Sequence, residues 1–131
     1  LTKRIRVLVY GDWPDKTKNI IPFFTASYFE SDRIFTFKPN IENKIQLIFV
    51  GGLFSNKNPI IALDVCNLLR LNNRNVELVF CGDGPEFSKL SNLTNSLNLC
   101  YRVIFRGYVS SEIVKQEFIK SHFLIFVSES E

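Results

Sequence analysis

Four short runs set the strongest limit on what this chain can fold into: IQLIFV (45–50), VELVF (76–80), RVIF (102–105) and FLIFV (123–127). Each is apolar almost throughout. Strands exposed on one face alternate apolar and polar residues, whereas strands covered on both faces do not. Their centres at Leu47, Leu78, Ile104 and Ile125 lie 31, 26 and 21 residues apart, close to the roughly 30 residues of a strand–helix–strand unit. Between them, apolar residues recur at helical spacing: Ile61, Val65, Leu68 and Leu69; Phe87, Leu90, Leu93 and Leu97; and a shorter stripe of Ile113, Val114 and Phe118. Three right-handed crossovers of this kind predict a Rossmann-like α/β fold, an open, mostly parallel sheet with helices on both faces.

Residues 1–40 read differently. IRVLVY looks like one strand, ended by the turn chemistry of GDWPD. The segment NIIPFFTASYFESDRIFTFKPN carries aromatics without a clean period, which predicts irregular chain with one helical turn from Ser27. The domain reading is therefore residues 1–40 as a connection with one extra strand, and residues 41–131 as a partial Rossmann-like ligand-binding domain.

Composition excludes several classes. An apolar share of 46% in 131 residues, with 13 Phe, supports a real core and argues against disorder. The net charge is +3, and the basic residues are scattered, as at Lys3, Arg4 and Arg6 or Arg102 and Arg106, so no stripe suits a nucleic-acid backbone. No apolar stretch approaches the roughly 20 residues needed to span a bilayer. The run after Leu1–Arg6 breaks at Gly11–Pro14, unlike a signal peptide. Cys66, Cys81 and Cys100 form no C-x-x-C pair, which points to free thiols in a reducing, cytoplasmic setting. With one histidine, His122, and unclustered cysteines, no metal site is expected, and His122 is assigned a structural role.

In an open parallel sheet, ligands bind beyond the carboxyl ends of the strands, where the winding reverses. With the strand order 3-2-1-4, two loops frame that crevice. One is Gly51-Gly52-Leu53-Phe54-Ser55-Asn56-Lys57-Asn58-Pro59; the other is Ser128-Glu129-Ser130-Glu131. Glycines let backbone N–H groups approach an anion, a helix N-terminus adds partial positive charge, and Lys57 offers a charge-assisted contact to a phosphate. The alternative is a plain strand-to-helix turn with a solvated lysine. Neither a Walker loop nor G-x-G-x-x-G is present. The turn Cys81-Gly82-Asp83-Gly84-Pro85-Glu86 follows the second run and is also explained as helix initiation. After the third run come Gly107, Tyr108 and Val109, with Ser110 or Ser111 available as a helix cap. Glu129 and Glu131 alternate, so on extended chain they share a side; they either do acid/base work, hold sugar hydroxyls, or end a solvated strand.

IFVGGLFSNKNPIIALDVCNLL, VELVFCGDGPEFSKLSNL, RVIFRGYVSSEIV and FLIFVSESE occur in order and at suitable spacing from about residue 37 onward. Together they resemble the C-terminal, donor-binding domain of GT-B glycosyltransferases of the family-4 type, glycosyl transferases group 1. The resemblance implies sugar transfer from a nucleotide-sugar donor, a UDP- or GDP-sugar being expected, with retention of configuration and neither an essential metal nor a separate cofactor. It implies that Lys57 holds the donor diphosphate, that Gly51 and Gly52 line its loop, and that Gly82 and Gly84 shape the cleft wall. Gly107, Tyr108 and Val109 would line the base, and Glu131 would be the catalytic-site glutamate that begins an E-x7-E motif and contacts the donor sugar. Where the family usually has arginine after the first loop glycine, this chain has Gly52, so one phosphate-site cation is replaced.

A chain stopping inside that motif reads as part of a longer enzyme. An acceptor glycan or lipid-linked sugar would bind through the absent domain, with peripheral contact at the inner membrane face. The part alone would be inactive and prone to self-associate through uncovered sheet. Two other readings stay open: a GT-B-fold nucleotide-sugar epimerase, and a non-catalytic nucleotide-binding or interaction module in which Gly52 marks a decayed phosphate site. A response-regulator-like domain is disfavoured because no acidic cluster follows the first of the four runs.

Overall fold

The computed structural model describes residues 7–10, 20–23 and 41–128. The chain separates into two compact units, Leu1–Phe35 and Thr36–Glu131. In the first, β1 (Val7–Tyr10) pairs in parallel with β2 (Ile20–Phe23), in register from Val7↔Ile20 to Tyr10↔Phe23. IRVLVY thus supplies the expected strand, but IIPF corrects the expectation of irregular chain. Pro22 has no N–H and argues against a central strand, yet a strand paired on one side only tolerates it when the missing donor would face outward. The helical turn expected from Ser27 lies outside the described residues.

The second unit holds β3 (Ile45–Val50), α1 (Pro59–Leu71), β4 (Val76–Cys81), α2 (Phe87–Ser96), β5 (Val103–Phe105), α3 (Ser111–Lys120) and β6 (Phe123–Leu124). Its four-stranded sheet has the order β5-β4-β3-β6, parallel at every step. That is the common 3-2-1-4 order on which the framing of the crevice by two loops depended. β6 is shorter than its run, although Ile125 still donates its N–H to the Ile48 carbonyl at 2.8 Å.

The runs of β3 and β4 are apolar throughout because both faces are covered, whereas Phe123, Leu124 and Phe126 of the last run are exposed. On one face Leu47, Phe49, Leu78, Phe80 and Val103 pack with Leu63 and Cys66 of α1 and Leu90 of α2. On the other, Ile48, Val79 and Cys81 meet Ile104 and Val114 of α3. Burying one such side chain contributes about 1.5–3 kcal/mol. Phe49, Phe80, Phe105 and Phe87 form a chain of rings from β3 to α2, with centroids 5.1–5.4 Å apart. Each such pair adds about 0.5–1.5 kcal/mol beyond burial.

The helices form where expected, but only half of the stripe expected for α1 turns inward, Val65 and Leu69 packing against the core. Pro59, Ala62, Leu63 and Cys66 are buried, whereas Ile61 and Leu68 are exposed, Leu68 by 61%. Both stripes have helical spacing. Small Ala62 and Cys66 let the helix approach the sheet closely, which the larger stripe would prevent. In α3, Val114 packs inward while Ile113 and Phe118 are exposed. Both α1 and α2 end on asparagines in the left-handed region, Asn73 (φ 58°) and Asn98 (φ 55°). The following amides reach back to the helix, Arg74 N–H to Leu69 O and Leu99 N–H to Thr94 O, satisfying carbonyls that would otherwise lack partners.

Candidate functional site

All four strands of the larger sheet run the same way, so the loops after β3, β4 and β5 emerge together. Between them lies a cleft of about 350 Å³ lined by Val50, Gly51, Gly52, Phe54, Cys81, Gly82, Asp83, Tyr108, Val109 and Val114. The loops are stitched by backbone hydrogen bonds: Gly51 N–H to Cys81 O and Leu53 N–H to Asp83 O, both 3.0 Å, and Gly82 N–H to Gly107 O at 2.8 Å. Gly82 and Gly107 also form an isolated antiparallel bridge.

Glycine is required at Gly82 for two reasons. Its φ is 151°, and a Cβ there would lie 1.9 Å from the Gly51 carbonyl oxygen. Gly84 is excluded from bearing a side chain by contact alone, because its Cβ would fall 2.6 Å from Leu53 O. Gly84 therefore does not line the cleft; it backs the wall by letting the two loops touch.

Lys57 enters from the side. The chain after Phe54 makes a 3₁₀ turn over Ser55–Lys57, then a left-handed Asn58 (φ 45°), and Pro59 opens α1. This sequence of turns carries Lys57 towards the end of β6, where its Nζ donates to Ser128 Oγ at 3.3 Å. The loop after β3 and the segment after β6 thus meet, as the strand order requires. Among the described residues, neither Lys57 nor any other cation lines the cleft. Glu131, like Glu129, lies outside the described residues.

Tyr108 is 92% exposed at the rim. Opposite the loops' glycines, Val109 and Val114 make an apolar wall, with Asp83 the charged lining group. Phe54 lies across Gly52: a Cβ on Gly52 would meet its ring at 2.4 Å. An aromatic edge thus fills the direction in which an arginine side chain at position 52 would leave the backbone. Sequence reasoning missed Phe54, Asp83 and Val114 as lining residues. Phe54 sits inside the quoted loop, so its place was legible, while Val114 reaches the cleft only because α3 crosses that face.

Burial pushes the Cys81 thiol above its ordinary value; Glu117 adds to this and Arg106 opposes it. At neutral pH it is a protonated thiol in the cleft floor, not a nucleophile. His122 has the structural role expected of it. Its Nδ1 accepts the Gln46 N–H at 2.9 Å, and its own N–H donates to Gln46 O at 2.8 Å, tying β6 to β3. Ser110 occupies the cap position of α3, but its hydroxyl makes no capping bond.

In an open parallel sheet, a cleft beyond the carboxyl ends of the strands is where ligands bind. Residues 31–131 match the family described as Glycosyl transferases group 1. The chain belongs to that family, and its fold is of the GT-B type. No curated protein matches it. Among solved structures, the apo form of a lipopolysaccharide outer core galactosyltransferase, WaaB, aligns with TM-score 0.57 and 25% identity over 70% of this chain and 26% of that one. TarM of S. aureus, solved with Fondaparinux, alpha-GlcNAc-glycerol and UDP, aligns with TM-score 0.60 and 16% identity over 88% of this chain and 22% of that one. The catalytic domain of a Helicobacter pylori cholesterol-alpha-glucosyltransferase gives TM-score 0.57 and 21% identity over 66% and 54%. The chain thus spans about a quarter of the length of the first of these neighbours. Among the described residues, no helix is long and apolar enough to cross a membrane.

Proposed function

We propose that this chain forms the nucleotide-sugar side of a retaining glycosyltransferase, with UDP- or GDP-sugar as donor and a glycan or lipid-linked sugar as acceptor on another part of the enzyme. The observation that carries the reading is the meeting of Lys57 with Ser128 beside a glycine-walled apolar cleft. A planar base suits the wall of Tyr108, Val109 and Val114, and a diphosphate suits the Lys57 side. Departure of the nucleoside diphosphate builds charge on its oxygens, and a fixed ammonium stabilises that charge. On this reading Glu131 contacts the donor sugar. The work is done in the cytoplasm, with peripheral contact at the inner membrane face.

Titration of the protein with UDP, GDP and ADP by calorimetry tests the proposal. Saturable binding of one nucleotide supports it and names the base; binding of none defeats it. One observation favours a second reading, a non-catalytic module: among the described residues no cation lines the cleft, and Phe54 lies across Gly52. Nucleotide affinity indifferent to Lys57 would favour that module.

Self-association belongs to the same proposal, because Phe123, Leu124 and Phe126 of the sheet edge are exposed, Phe126 by 71%. Sedimentation at increasing concentration should show species larger than the monomer, and a single monomeric species throughout would refute it.

A further inference from the structure

Glu117 is the anomaly of α3. It occupies a buried position of that helix, and it is only 4% exposed. Its Oε1 accepts from Arg106 Nη2 at 3.2 Å and from Lys120 Nζ at 3.5 Å. Lys120 lies one turn further along the same helix, so its contact with Glu117 stays within α3. Arg106 belongs to a different element: it follows β5 and directly precedes Gly107. Only the carboxylate is buried, since Arg106 is 43% exposed, so the pair contributes little to stability by itself. What the pair adds is direction, because an ion pair with hydrogen-bond geometry has one arrangement and an apolar contact has many.

The segment held in this way is the cleft wall. Arg106 N–H donates to Phe80 O at 2.9 Å, and the next residue, Gly107, accepts from Gly82 N–H. Tyr108 and Val109 follow, and Val114 lies one turn before Glu117 on α3; all three line the cleft. The Cys81 thiol, also in that lining, feels the charges of both Glu117 and Arg106.

We infer that Glu117 is a positioning residue: through Arg106 it holds the wall of Tyr108, Val109 and Val114 against the Gly82–Gly107 bridge. This rests on the reading of the cleft as the nucleoside end of a donor site. It further states that the pair governs recognition of the nucleoside and leaves the diphosphate side, at Lys57, alone.

The test compares Arg106→Met, Glu117→Leu, the double variant and the conservative Arg106→Lys. Three quantities are read: urea stability, amide exchange at Gly82 and Gly107–Val109 relative to Leu78, and affinity for UDP, GDP and inorganic diphosphate. Arg106→Met should lose more stability than Glu117→Leu, because it leaves the buried carboxylate with Lys120 alone, and the double variant should regain that loss. The double variant should nevertheless exchange its Gly82 amide about tenfold faster than the native protein, with the Leu78 amide unchanged. It should also bind nucleotide about tenfold more weakly, with inorganic diphosphate unaffected. Arg106→Lys should keep native exchange at Gly82. Native exchange at Gly82 in the double variant would overturn the inference, since the pair would then be a compensated buried charge and no more. If the native protein binds no nucleotide while exchange responds as expected, the positioning role stands and the donor-site reading falls.

Discussion

Lys57 and Ser128 are 71 positions apart in sequence, yet Lys57 Nζ lies 3.3 Å from Ser128 Oγ. The contact exists because β3 and β6 are neighbours, so the loop leaving one faces the segment leaving the other. Removing the ammonium should weaken nucleoside diphosphate binding more than nucleoside binding. A charge-assisted contact contributes about 1.5–3 kcal/mol, so Lys57→Ala should raise the Kd for UDP or GDP at least about tenfold. Calorimetry with the diphosphate and the free nucleoside checks this; equal losses for both would place Lys57 away from the phosphates.

Gly82→Ala should be costly although it adds one methyl. The residue holds φ at 151°, and the new Cβ would sit 1.9 Å from Gly51 O. Backbone strain of this kind costs about 1–3 kcal/mol, and separating the loops after β3 and β4 would add to it. Urea denaturation should show a lower midpoint, and the exchange of the Gly82 amide should lose its protection. A midpoint equal to the native protein's would contradict the loop geometry.

Gly52→Arg asks whether the phosphate side lacks a cation. Position 52 has an ordinary φ, and the obstacle is the ring of Phe54, itself half-exposed and able to swing aside. The substitution should tighten inorganic diphosphate binding about tenfold if the new guanidinium reaches the anion. The gain should grow in a Phe54→Ala background. No gain in either background would mean that the anion does not bind beside this loop.

The cysteines give a pH-dependent expectation. Burial pushes the Cys66 thiol from 9.0 up to about 11, with Arg102 and Arg70 opposing, and Cys81 is also raised. In the folded state these thiols hold protons that the unfolded chain releases sooner. Their contribution to stability is therefore fully present below pH 9 and is lost as pH rises through about 11. Stability of native protein against Cys66→Ala, measured from pH 7 to 11, should show the native slope flattened in the variant. At neutral pH, exposed Cys100 should react with a thiol reagent while Cys66 and Cys81 stay unreactive until the protein unfolds.

The sheet was legible because strands buried on both faces must be apolar at every position, and spacing near one crossover unit leaves few topologies. IQLIFV and VELVF therefore announced β3 and β4, and the loops leaving them announced the cleft. The inward face of α1 was only partly legible. Ile61 with Leu68 and Ala62 with Cys66 share helical spacing, and only the approach of the helix to the sheet favours the smaller pair. Pro22 hid β2, because sequence does not say which side of a strand will be left unpaired.

The sequence by itself determined the parallel sheet and the glycine loops at one end, since these follow from local pattern and chain connectivity; which strands became neighbours was settled by the structure. Tertiary structure alone decided that Lys57 meets Ser128 and that Glu117 reaches Arg106. Each of these joins residues from different elements. Their meeting depends on how far a helix or turn advances before the chain folds back, and no local pattern records that distance.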